Sequence, residues 1–130
     1  MERDIYSKNL KLYGKEHEKT FRAAMNCASS LTDLQRFEEA KRVVRKVMPG
    51  ARRVLGEEHR LTLKMRWCYA EALYKDGSVP LDDLRESVTT LEDAERIARR
   101  VLGGAHPITG GIERALGKSR SALRAREGTA

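Results

Sequence analysis

Apolar residues return every three or four positions along most of this chain, and no stretch alternates apolar with polar for a useful strand length. Phe21, Ala24, Met25, Ala28 and Leu31 make one such run, and Phe37, Ala40, Val43, Val44 and Val47 the next. Leu63, Met65, Tyr69, Ala70 and Leu73 form another, followed by Leu84, Val88, Leu91, Ala94, Ala98 and Val101. Each run is a one-sided stripe that an amphipathic helix would bury. The spacing predicts six helices, over roughly 2–13, 18–33, 37–55, 61–75, 80–102 and 108–126. Pro49-Gly50 should kink or interrupt the third of them, and Pro80 suits the first turn of the fifth. Gly110, Gly111 and Gly117 should let the last one fray.

The boundaries between these helices repeat. Tyr13-Gly14-Lys15-Glu16-His17-Glu18-Lys19-Thr20 returns as Leu55-Gly56-Glu57-Glu58-His59-Arg60-Leu61-Thr62, and again as Leu102-Gly103-Gly104-Ala105-His106-Pro107-Ile108-Thr109. All three read Gly-x-x-His-x-x-Thr, and their glycines stand 42 and 47 residues apart. The five extra residues fall in the turn-rich run Asp76-Gly77-Ser78-Val79-Pro80, where a longer surface loop costs little. Glycine suits the position just past a helix end, and acids such as Glu57 and Glu58 suit the start of the next helix. The chain therefore divides into a half-repeat helix (1–13), a first repeat (14–55), a second repeat (56–102) with its inserted loop at 76–80, a partial repeat or capping helix (103–126) and a tail (127–130).

Composition agrees with an all-α domain. The chain has 130 residues, 35% of them charged and only 5% aromatic, with 3 prolines. Its net charge of +7 would favour an acidic partner, but most bases are interleaved with acids, as in Glu38-Glu39-Ala40-Lys41-Arg42. Cys27 and Cys68 are too few for a disulfide framework and fall within helical runs, which points to reduced thiols in a cytoplasmic protein. No apolar segment approaches membrane-spanning length, and Met1-Glu2-Arg3-Asp4 is too charged to open a signal peptide.

The repeated segment, followed by a helix, a turn and Phe37-Glu38-Glu39-Ala40, resembles the 42-residue tetratricopeptide repeats of kinesin light chains. The resemblance spans roughly residues 10–125. Leu34-Gln35-Arg36-Phe37-Glu38-Glu39-Ala40 matches the usual turn into a second helix, with Gln35 where glycine is commoner. Arg66 departs from the pattern by replacing a usually apolar residue, and Ser87 by replacing a small alanine. The third copy lacks its second helix. The resemblance implies an α-α superhelix, a right-handed solenoid of about six antiparallel helices. The first helix of each pair would line a concave groove that holds a peptide from another protein.

Register with the family's small residue, at Ala28 and Ala70, implies which side chains face that groove. They are Arg22, Met25 and Ser29 with Asn26 alongside, and Lys64, Trp67 and Glu71 with Cys68 alongside. Related repeats often carry paired asparagines that hold a peptide backbone; here Asn26 stands alone. Trp67 would either anchor a ligand or pack between helix pairs. Arg22, Lys64 and Lys75 would draw an acidic segment.

Other chemistries find little support. Equivalent positions in stacked repeats lie at least about 8–10 Å apart, whereas one zinc ion takes ligands at about 2 Å. His17, His59 and His106 are therefore expected to brace their own turns through local hydrogen bonds rather than share a metal. No cofactor motif, nucleophile elbow, phosphate loop or Cys-x-x-Cys pair is present, so no enzymatic activity is predicted. The main rival reading is nucleic-acid binding by a basic C-terminal edge of Arg96, Arg99, Arg100, Arg114, Lys118, Arg120, Arg124 and Arg126. It lacks a recognised motif and aromatics for base stacking. A third reading is structural: a piece of a longer array, self-associating through unfinished repeat ends.

Overall fold

The computed structural model describes residues 17–128. The helix expected over 2–13, Gly14 and the last two residues lie outside them. Five helices follow in order: α1 (Glu18–Asp33), α2 (Phe37–Leu55), α3 (Arg60–Tyr74), α4 (Leu81–Val101) and α5 (Pro107–Gly128). The described part is thus all-helical, with one helix fewer than the six predicted.

Each chain-adjacent pair packs together, and so do α1 with α3 and α3 with α5. α2 and α4 stay apart. A stack whose first helices touch while its second helices splay is curved, with α1, α3 and α5 on the inner wall and α2 and α4 outside. This is the geometry of a tetratricopeptide-like helical solenoid.

α3 is the middle of the stack, and eleven of its fifteen residues are buried. Its Met65, Cys68, Tyr69, Ala72 and Leu73 join Phe21, Ala28, Ala40 and Val44 in one core. Its Leu63, Ala70 and Tyr74 join Leu84, Leu91, Ala94 and Ile112 in a second. A helix buried on two sides needs apolar or small residues nearly all round, which α3 supplies. Full burial of one Leu or Met is worth about 1.5–3 kcal/mol, so Met65, Leu63 and Leu73 tie both neighbours to α3.

The histidines act as their spacing suggests. Each stands just before a helix, and its Nδ1 accepts a backbone N–H two residues on: Lys19 for His17 (3.1 Å), Leu61 for His59 (3.0 Å) and Ile108 for His106 (3.1 Å). The first N–H groups of a helix have no internal acceptor, and these imidazoles supply one. The preceding glycines, Gly56 and Gly103, have φ of +90° and +92°, a conformation L side chains rarely adopt. Between α1 and α2, Gln35 takes φ +61° at the position where glycine is commoner.

Several departures from the repeat pattern have local solutions. Arg66 is almost fully buried, and its guanidinium donates to Glu57 at 2.7 Å. Ser87 is fully buried; its hydroxyl donates to the Ala70 carbonyl (3.0 Å) and accepts from Ser119 (2.9 Å). That relay joins α3, α4 and α5. The buried Lys41 ammonium pairs with Glu38 and lies 3.8 Å from Asp83 across the gap between α2 and α4.

The interruption expected at Pro49-Gly50 and the fraying expected of the last helix are corrected. α2 runs unbroken from Phe37 to Leu55 with Pro49 inside it. The covered face on both sides of the proline, Val44, Val47, Met48 and Ala51, holds the helix through the missing N–H. α5 likewise continues through Gly110, Gly111 and Gly117. Gly111 is required there by a close approach to Trp67. Pro80 stands one residue earlier than expected, as the N-cap of α4.

Candidate functional site

The groove-facing residues expected from the repeat register lie on α1 and α3, the two inner-wall helices that pack side by side. Together they border two adjoining depressions. The larger, about 650 Å³, is lined by Arg22, Met25, Asn26 and Lys64, together with Glu18, Glu58, His59, Arg60, Leu61, Val101 and Leu102. The smaller, about 170 Å³, is lined by Met25, Ser29, Lys64, Trp67, Cys68 and Glu71. Met25 and Lys64 border both, so the two depressions adjoin as a trough along the inner wall.

The polar groups in the trough differ in how far they are engaged. Arg22 and Glu18 form an exposed pair one helical turn apart at 3.3 Å, which adds little to stability. Glu71 is held by Lys75 at 3.5 Å and accepts from the Tyr74 hydroxyl at 3.4 Å. Asn26 and Lys64 are exposed, and among the described residues neither has a side-chain hydrogen bond or ion pair. Lys75, expected to add positive potential, is instead neutralised by Glu71.

The floor of the smaller depression is apolar and tightly built. Trp67 is half-buried, and its ring abuts Gly111 of α5. Its Nε1 is buried without a partner among the described residues. Both readings of Trp67 therefore have a geometric basis: the ring packs between helix pairs and also lines the trough. Cys68 lies within 3.5 Å of the Ser29 hydroxyl. Burial pushes its thiol up to about 11, so it stays protonated at neutral pH. Cys27 is buried in the core.

The trough extends further towards the inter-repeat turns than the register argument reached. Glu58, His59, Val101 and Leu102 all border it. His59 Nε2 lies 3.9 Å from Glu18 of the preceding repeat, and Arg100 bonds Glu58 at 2.5 Å. The near-identity of the turns was the available signal, because stacked repeats place equivalent turns at one end of the groove.

The predicted basic C-terminal edge does not assemble. Arg96 pairs with Asp93, Arg99 with Glu95 and Glu113, Arg100 with Glu58, and Arg120 with Glu92. Arg126 donates to the Gly77 carbonyl and Arg124 to Ser121. Arg114 and Lys118 remain exposed on α5. Among the described residues no group of acids, histidines or cysteines could hold a metal ion, and no helix is long and apolar enough to cross a membrane.

Residues 20–61 match the family model for the tetratricopeptide repeat. No curated protein and no solved structure matches the chain. The matched segment begins at Thr20, takes in the rest of α1 and all of α2, and ends at the start of α3; it is one structural repeat of the stack. Repeats of this family generally serve as protein–protein interaction modules. With helix pairs stacked on either side of α3 and the first bearing the family's pattern, residues 20–61 form a tetratricopeptide repeat within a tetratricopeptide-like helical stack.

Proposed function

We propose that this protein is a non-enzymatic adaptor of the kinesin-light-chain type. Its inner trough, bordered by Arg22, Met25, Asn26, Ser29, Lys64, Trp67, Cys68 and Glu71, holds an extended or helical segment of a partner protein. The observation that carries this reading is the pairing of apolar floor with unengaged donors. Met25 and the Trp67 ring line the trough, while Asn26 and Lys64 stand beside them with no internal work to do. A few placed polar groups over an apolar floor suit a peptide whose backbone and carboxylates meet the donors while one side chain fills the depression. Arg60 and Lys64, which have no acidic partner among the described residues, bias the choice towards an acidic segment, while Arg22 is paired with Glu18. The two buried thiols suit a reducing compartment such as the cytoplasm.

The test is capture of the partner from native cells by proximity labelling, repeated with Lys64→Glu and Asn26→Ala. These exposed positions can change without harm to the core, so release of the partner by both variants supports the trough. Capture unchanged by either variant sinks this reading. Trp67→Ala is a poorer probe, because the ring also supports α5.

A further inference from the structure

Bases and acids are interleaved over most of this surface, but not on the outer face of α2. From Arg42 to Leu55 the helix carries Arg42, Arg45, Lys46, Arg52 and Arg53 and no acid. Three of these have a structural explanation. Arg52 lies 3.4 Å from Glu57, and Arg52 and Arg53 stand in the last turn, where the helix dipole favours cations. Arg45 donates to the Tyr69 hydroxyl at 3.0 and 3.2 Å and lies over its ring. Arg42 and Lys46 have none. They are exposed, one turn apart in mid-helix, and among the described residues neither has an acidic partner. Glu38, the acid one turn before Arg42, is drawn instead to the buried Lys41, which holds its carboxyl below the usual range. Cations so placed repel one another, and among the described residues no acid offsets it.

Beside this stripe the curvature of the stack opens a second cleft. The splayed α2 and α4 leave about 330 Å³ between them, lined by Arg45, Met48, Pro49, Arg52 and Tyr69 with Glu86 and Thr90 opposite. Tyr69 closes its floor, accepting from Arg45 and donating to Glu86 at 2.8 Å.

We propose that the exposed Arg42–Lys46 ridge of α2, with the outer cleft beside it, is a second docking site, and that it takes an extended acidic segment of a partner protein. Arg42 and Lys46 are separated by about 6 Å along the helix axis. Same-side residues of an extended strand repeat at about 6.6 Å, so carboxylates at every second position meet both cations. Pro49, three residues on from Lys46 and so on the same side of α2, offers apolar contact at the rim of the cleft. Nucleic acid suits the cleft poorly, because Arg45 already covers the Tyr69 ring on which a base would stack. A flat anionic bilayer would touch only the crest of a convex surface. The site lies on the opposite face from the trough and stands whether or not the trough binds. Together the two faces would let one small domain bridge two segments.

The experiment is a fluorescence-anisotropy titration of the full chain with a labelled, acetylated peptide of about seven residues alternating glutamate and valine, in buffer of low ionic strength. Saturable binding that weakens with salt and falls about tenfold or more in Arg42→Glu/Lys46→Glu is the expected result. Lys64→Glu, which alters only the trough, should leave the Arg42- and Lys46-dependent binding in place. Arg42→Gln/Lys46→Gln, with a melting curve matching the parent, separates charge loss from unfolding. No binding at low salt overturns the proposal. So does equal loss in Lys64→Glu, which would move the peptide to the trough. Tighter binding of duplex DNA or phosphatidylserine vesicles through Arg42 and Lys46 would also overturn it.

Discussion

The indole ring of Trp67 fills the space where a side chain on Gly111 would begin: a Cβ there would lie 2.1 Å from Cη2 and 2.6 Å from Cζ2. The contact joins the floor of the trough to the last helix of the stack. Gly111→Ala must therefore push the ring or the helix aside, at a cost of about 1–3 kcal/mol. Gly117 lies in the same helix with nothing within 4 Å of a new Cβ. Gly117→Ala should stabilise by about 0.5–1 kcal/mol through helix propensity. Urea unfolding of the two variants reads the opposite signs, and Trp67 emission should shift only in Gly111→Ala.

The histidine caps separate chemistry from packing. His59→Ala removes the acceptor for the Leu61 N–H and should cost about 1 kcal/mol. His59→Asn keeps a short acceptor at the N-cap and should recover most of that loss. Equal destabilisation by both would assign His59 a packing role instead.

Gln35 holds a left-handed backbone at φ +61°. That conformation costs a non-glycine residue roughly 1–2 kcal/mol, partly offset in a glycine variant by the greater freedom of its unfolded chain. Gln35→Gly is expected to raise stability by about 0.5–1 kcal/mol, measured as a higher denaturation midpoint with an unchanged slope.

The Ser119–Ser87–Ala70 relay predicts non-additivity. Ser87→Ala leaves the buried Ser119 hydroxyl without its acceptor, a loss of about 1–3 kcal/mol. Removing both hydroxyls in Ser87→Ala/Ser119→Ala should cost clearly less than the sum of the single changes. Additive losses in the double-mutant cycle would show that the two hydroxyls act separately.

Cys68 borders the trough yet should be chemically quiet. Its ionisation is raised to about 11 by burial, so at pH 8 the thiolate is on the order of one part in a thousand. Reaction with a maleimide is expected to be slow at pH 8 and to quicken as the pH rises towards 11. Rapid labelling at pH 7 would contradict that placement.

Much of this was legible in local pattern. The apolar stripes located the five described helices to within a few residues, because burying one helix face demands that period. The Gly-x-x-His-x-x-Thr turns announced both the stacking and the histidine caps, since helix starts need an acceptor within two or three residues. The register of Ala28 and Ala70 picked eight residues that lie around two adjoining depressions on α1 and α3; their part in binding is the proposal made above. The rival reading of a basic C-terminal edge is disfavoured for a reason equally physical. Arg100 and Arg120 find Glu58 and Glu92, 42 and 28 residues away, and sequence neighbours do not reveal such pairs.

The sequence alone determined what depends on near neighbours: helix periods, turn chemistry and the repeat that stacks one hairpin on another. Only the tertiary structure decided which charges remain unpaired, why Gly111 cannot carry a side chain, and that α2 and α4 part to open an outer cleft. Those features arise where residues distant along the chain meet. The curvature that brings them together is a sum of packing contacts from every helix, and no single segment encodes it.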